Sequence, residues 1–196
     1  DSENVIRCFS ITDGSVIWTF KTDKPFIKSQ KKNSLVIKND MIIFNNSLGD
    51  ITALDLYSGQ LKWQTPTQSK VIYENALFLK NSDLIVGKNS IFSSNNMNEF
   101  ISIDSNTGTI NWKQKINSEL RPTFINNFIF SITNEGYFVV IDNETGNLIR
   151  STNVLKNIKN KKIKKFKPVG FIVGKKNIYL TTSNGRLFVI DILTGN

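Results

Sequence analysis

Four aspartates, Asp55, Asp104, Asp142 and Asp191, recur in a fixed setting, each followed four residues later by a glycine. Carboxylates in such a pattern could serve as general acids or bases, ligate a divalent cation, or bond the amides of a tight turn. Other reactive chemistry is sparse. The chain has no histidine, so the usual general base and the commonest transition-metal ligand are both missing. A single cysteine, Cys8, excludes an intramolecular disulfide. It lies two residues before the aligned acidic position, where other copies carry Ala53, Ser102, Val140 and Val189. A small, buried strand residue accounts for it, because free Cys behaves as a small hydrophobe. Asp50 and Glu135 fall in turns, and no Asp or Asn run has the spacing of a calcium loop. We expect no catalytic residue, no metal site and no cofactor here.

The aspartates belong to a repeat that comes round five times. The clearest copies run from Ile51 to Trp63 and from Phe100 to Trp112, with others at Val5–Trp18, Tyr137–Arg150 and Arg186–Asn196. Ser10 stands at the Asp position of the first copy, and the intervals between successive positions are 45, 49, 38 and 49 residues. Gly14, Gly59, Gly108, Gly146 and Gly195 follow four residues on, then Trp18, Trp63 and Trp112, with Arg150 in the tryptophan's place. Ser58, Thr107, Thr145 and Thr194 precede the glycines, with Asp13 in the first copy. The Asp-x-x-Thr-Gly segment therefore reads as a hairpin turn, with Asp and the hydroxyl bonding amides and Gly in the left-handed position. The tryptophan lies in the strand that follows, where its ring covers a junction with a neighbouring unit and its N–H finds a turn carbonyl.

Each copy begins with a strand that is apolar on both faces, as in Phe138 to Ile141, so its sheet is covered on both sides. Six residues before the aligned position stands Gly49, Gly136 or Gly185, with Asn4 and Asn98 in the remaining copies. Glycine and asparagine tolerate positive φ, which marks a second hairpin turn. Two more apolar runs precede it, such as Leu35–Ile37 and Met41–Phe44, or Phe171–Val173 and Ile178–Leu180, separated by turn-forming residues. The expected fold is all-β, a propeller of four-stranded antiparallel blades with no helix. Residues 1–196 form one propeller region with three complete blades and partial blades at both ends. We expect it to be part of a larger ring of about eight blades.

Net charge is +9, and without the seven lysines at 156, 159, 161, 162, 164, 165 and 167 it falls to +2. This run joins the outer strand of one blade to the first strand of the next, where loops meet partners. Lys156, Lys159, Lys161, Lys162, Lys164, Lys165 and Lys167, with Arg121 and Arg150 near other connections, are the candidate partner-binding residues. A solvated loop is the alternative reading. An acidic protein surface is the first expected partner and an anionic membrane surface the second. Nucleic acid is not expected, because only Phe166 offers a ring for stacking. No run reaches the length of an apolar membrane-spanning helix, and no signal peptide opens the numbering.

Ala53-x-Asp55-x-x-Ser58-Gly59-x-x-x-Trp63 resembles the repeat of quinoprotein-type (PQQ-like) propellers, and the Trp-Asp dipeptide of WD40 units is absent. Lys167–Asn196 is similar to the later blades of BamB-type outer-membrane assembly lipoproteins. That resemblance implies a non-catalytic scaffold on the periplasmic face of the outer membrane, docking periplasmic domains of the barrel-assembly protein. It also implies a lipidated N-terminal cysteine, a place Cys8 does not occupy. The enzymes of the same superfamily imply an alternative, a PQQ- and calcium-dependent dehydrogenase whose catalytic half lies elsewhere. They use vicinal cysteines, a calcium ion and a catalytic Asp, and one cysteine cannot form a vicinal pair. A lumenal sensor or complex subunit is the third reading.

Overall fold

A computed structural model describes residues 5–22, 33–46, 48–67, 79–156, 158 and 166–195. These residues form strands and turns and no helix. The first sheet pairs β1 (Val5–Phe9) with β2 (Val16–Lys21). The second runs in order through β3 (Leu35–Lys38), β4 (Met41–Asn45), β5 (Ile51–Asp55) and β6 (Leu61–Thr65). The third is β7 (Ile85–Val86), β8 (Ser90–Ser94), β9 (Phe100–Asp104) and β10 (Ile110–Gln114). The fourth is β11 (Thr123–Ile125), β12 (Phe128–Ile132), β13 (Tyr137–Asp142) and β14 (Leu148–Asn153). The last holds β15 (Pro168–Val173), β16 (Asn177–Thr182) and β17 (Leu187–Asp191). Every pairing within a sheet is antiparallel, and this is the blade architecture that the repeat predicts.

The sheets stack face to face, and the core lies between them. Ile6, Phe44 and Leu54 meet between the first and second sheets. Ile43, Ile51 and Ala53 meet Ile91, Ile101 and Ile103 between the second and third. Thus Leu54 points to one neighbouring blade and Ala53 to the other, which is why β5 is apolar at successive positions. Phe92 and Phe100 pack with Ile129 and Ile141, and Ile132 and Phe138 with Ile178 and Leu180, to continue the stack. Burial of each such side chain contributes about 1.5–3 kcal/mol. Cys8 is half-buried, short of the full enclosure that the sequence suggests.

The Asp turns lock each blade's outer hairpin. In Asp104, one carboxylate oxygen accepts the N–H of Asn106 (2.9 Å), the N–H of Thr107 (2.9 Å) and the Thr107 hydroxyl (3.0 Å). Asp55 and Asp142 repeat all three bonds, and Asp191 repeats the two from the backbone. The glycine N–H closes each turn on the Asp carbonyl, with φ between 70° and 75° at Gly59, Gly108, Gly146 and Gly195. At the opposite end of the blades Gly49, Gly136 and Gly185 hold positive φ, and Asn98 takes the same conformation at φ 60°. Asn4 lies outside the described residues.

One side chain per sheet docks on the next sheet. Trp18 Nε1 donates to the Leu56 carbonyl at 3.1 Å and Trp112 Nε1 to the Asn143 carbonyl at 2.9 Å. Each acceptor directly follows the Asp of the next blade. The ring lies against that blade's glycine, so a Cβ added at Gly59 or Gly146 would meet it at 2.6 or 2.5 Å. Trp63 lies over Gly108 in the same way, and there the Thr65 hydroxyl donates to the Gly108 carbonyl at 2.5 Å.

Two predictions follow from these turns. Gly146→Ala combines a left-handed backbone with a clash and should cost about 3 kcal/mol in urea unfolding. Gly185→Ala has φ 78° but no described residue within 4 Å of the added Cβ and should cost only about 1 kcal/mol. The Ser58 backbone and hydroxyl bonds and Lys62 hold Asp55 down to about 2, and the Thr107, Thr145 and Thr194 turn bonds lower Asp104, Asp142 and Asp191. Carboxylates depressed by folding contribute stability that is complete above about pH 4 and lost as pH falls through the folded values. The denaturation midpoint should therefore drop between about pH 4 and pH 2, and Asp142→Asn should flatten that drop.

Candidate partner-binding face

The antiparallel register sends the two kinds of turn to opposite faces. Met41 pairs with Asp55 at one end of the second sheet, while Asn45 pairs with Ile51 and Ile51 with Thr65 at the other. The Asp turns crowd the first face. The connections between sheets leave from the second, because outer strands end there and inner strands begin there. Arg121, Lys156 and Lys167 all lie in such connections.

Arg121 is exposed at the approach to β11. It lines a cavity of about 490 Å³ with Val36, Leu84, Val86, Phe124 and Phe171, drawn from four successive sheets. The cavity sits where the inner strands β3, β7 and β11 come side by side. It combines an apolar wall with one guanidinium, an arrangement suited to an apolar group that carries a carboxylate.

The ends of the basic segment are fastened. Leu155 is buried against Gly136, and Phe166 is buried edge-on to Phe188 with the Arg186 guanidinium 5.4 Å from its ring centre. Phe166 is therefore part of the core and not a stacking platform. Lys167 Nζ reaches Glu119 at 3.2 Å, Lys80 Nζ approaches the same carboxylate at 3.9 Å, and Asn134 donates to it at 3.3 Å. Glu119 thus draws Lys167 to the connection that carries Arg121. Lys156 is exposed, and Lys159, Lys161, Lys162, Lys164 and Lys165 lie outside the described residues. Sequence reasoning missed Glu119 and Lys80. Glu119 is 48 residues from Lys167, and no local spacing ties the two.

Arg150 stands apart from that face. It pairs with Val140 in the register that sets Trp63 opposite Ala53 and Trp112 opposite Ser102. Its guanidinium donates to the Ile192 carbonyl at 2.6 Å, the acceptor that follows Asp191, and lies 3.2 Å from a Cβ placed on Gly195, whose nearest neighbour is the Thr152 methyl. Arg150 therefore does the work of tryptophan at this junction, with Nε held by Thr152 at 3.0 Å.

The residues of this chain do not fit a quinone and calcium centre. One cysteine gives no vicinal pair, Asp55, Asp104, Asp142 and Asp191 are turned into their own hairpins, and no cluster of three or more His, Cys, Asp or Glu could hold a metal ion among the described residues.

Stacked four-stranded blades, the Asp–Gly turn and the docked tryptophan define a PQQ-like β-propeller. The chain belongs to the family described as outer membrane protein assembly factor BamB, whose model matches residues 1–152. No curated protein matches it significantly. Among solved structures it is similar to BamB from Moraxella catarrhalis, with 14% identity and a TM-score of 0.72 over 96% of this chain and 59% of that one. It is also similar to the quinohemoprotein alcohol dehydrogenase ADHIIG from Pseudomonas putida HK5, with 11% identity and a TM-score of 0.73 over 100% of this chain and 38% of that one. The computationally designed Ika8 protein matches at 16% identity and a TM-score of 0.68, over 97% of this chain and 54% of that one. The chain thus spans little more than half the length of the BamB structure it matches.

Arg150→Ala should remove a charged hydrogen bond between sheets and lower stability by about 2 kcal/mol. Arg150→Trp should restore most of it, as read from thermal unfolding of the two variants.

Proposed function

We propose that this chain is part of a non-catalytic propeller scaffold in outer-membrane β-barrel assembly, at the periplasmic face of that membrane. The observation that carries the reading is the family match over residues 1–152, joined to a connection face that gathers Arg121, Lys156 and Lys167. Residues 1–196 act as one propeller region within a larger ring. The rigid stack presents that face to periplasmic domains of the barrel-assembly protein. Arg121 meets an acidic group beside the apolar cavity, and the lysine segment adds long-range attraction and a faster on-rate. An anionic membrane surface is a secondary contact of the same lysines, and attachment by a lipid at the N-terminus of the mature protein belongs to this reading.

A second reading is favoured by one observation, the fold shared with quinohemoprotein alcohol dehydrogenase ADHIIG at a TM-score of 0.73. It would make this chain a supporting part of a quinone- and calcium-dependent enzyme whose reactive residues lie in other blades. The poor fit of the residues here to such a centre weighs against it.

Calorimetric titration of the protein with the periplasmic domains of its barrel-assembly partner tests the first reading. Binding in the micromolar range is expected. Arg121→Glu should weaken it at least about tenfold, equal to about 1.4 kcal/mol. Replacing the lysines at 156, 159, 161, 162, 164 and 165 with Ser or Gln should lower the on-rate and flatten its salt dependence. Absence of binding removes the assembly role, and tight calcium-dependent quinone binding would establish the dehydrogenase reading.

A further inference from the structure

The cavity beside Arg121 offers more than contact with an acidic side chain would use. Its apolar wall is made by Val36, Leu84, Val86, Phe124 and Phe171, and its volume is about 490 Å³. A space of that size is in the range of ligand pockets and has room for a large side chain. Its lining residues run from Val36 to Phe171, inside the stack of sheets. Among the described residues of the wall Arg121 alone is charged, and no described residue bonds its guanidinium. Glu119, two residues away, is taken by Lys80, Lys167 and Asn134. Arg150 and Arg186, by contrast, are engaged by the Ile192 carbonyl and the Phe166 ring. Strand edges border the same space. Val36, Val86, Phe124 and Phe171 stand on β3, β7, β11 and β15, and each of these strands pairs with only one other in its sheet. The open side of such a strand presents main-chain donors and acceptors.

We infer that this cavity receives the C-terminal residue of an extended peptide, with its apolar side chain against Leu84, Phe124 and Phe171 and its α-carboxylate on Arg121. The three features of the site decide between occupants. An Asp or Glu side chain satisfies the guanidinium but leaves the apolar wall wet. A buried apolar side chain inside a peptide fills the wall but brings no charge to Arg121. A chain end carries both groups on one Cα, and a guanidinium holds a carboxylate by two parallel bonds. A free apolar acid such as a fatty acid matches the wall and the charge, yet it has no main chain to meet the strand edges. An extended peptide does, and capture of its terminus joins two known modes of peptide recognition. The inference deepens the proposed function, since it rests on Arg121 as a contact for a protein partner and names the chemical group that Arg121 meets.

The test is a calorimetric titration of the whole polypeptide with four probes. The first is an acetylated peptide of Gly, Ser and Thr ending in Phe with a free carboxylate, and the second is its C-terminal amide. The third ends in Glu amide, and the fourth is decanoate. The free-acid Phe peptide should bind, and its amide should bind at least about tenfold more weakly, the loss of one charged contact. The Glu amide peptide should be weaker than the free acid as well. Arg121→Gln, an exposed position whose unfolding midpoint should not change, should erase the difference between acid and amide while leaving the amide's affinity as it was. Equal binding of acid and amide overturns the proposal, as does no binding of the acid at millimolar concentration. Equal or tighter binding of the Glu amide peptide overturns it by assigning Arg121 to an acidic side chain, and tighter binding of decanoate does so by assigning the cavity to a lipid acid. The peptide titration needs no barrel-assembly protein. Loss of peptide binding beside intact partner binding therefore sinks this inference alone, and the reverse result sinks the assembly role alone.

Discussion

The junction between one blade and the next depends on a recurring contact, an outer-strand side chain packed at the glycine of the next turn, which in Trp18, Trp112 and Arg150 also donates to the carbonyl after the Asp. Apolar burial drives the sheets together but is non-directional and leaves their registration loose. The donor supplies direction, because Trp18 and Trp112 each reach one carbonyl, and the glycine supplies the room. Arg150 shows what the contact requires. A guanidinium replaces an indole because it is planar, donates, and spans the same gap to the Ile192 carbonyl. Hydrophobicity is not the common property of the occupants.

Antiparallel pairing then divides the molecule between two tasks. Asp turns and docking side chains occupy one face and hold the blades in order. The connections occupy the other, free of that duty, and there Arg121, Lys156 and Lys167 are found. The face that carries the most regular sequence is thus the one with the least freedom to vary, and the irregular connections can acquire binding chemistry. Glu119 adds a local tie across that face by holding Lys167 near the connection that bears Arg121.

The same propeller supports BamB from M. catarrhalis and the alcohol dehydrogenase ADHIIG, and both match this chain at similar TM-scores. The fold therefore does not choose between scaffold and enzyme, and the residues must. The repeat aspartates Asp104 and Asp142 spend their lone pairs on amides two and three residues on. Their depressed pKa values arise from turn bonds, which differs from the desolvation and charge pairing that ready an acid or base for chemistry.

The sequence by itself determined the strands, the blade unit, the two kinds of turn and the tryptophan's place, because all of these are local or repeat at a fixed period. Asn98 standing for glycine marked a left-handed turn, and its φ of 60° agrees. Only tertiary structure decided what Arg150 does, since its acceptor is 42 residues away in the next sheet. The same holds for the meeting of Val36, Leu84, Arg121 and Phe171 around one cavity and for the tie between Glu119 and Lys167. Such contacts are set by how whole sheets stack and by the length of irregular connections, and no residue spacing along the chain encodes them.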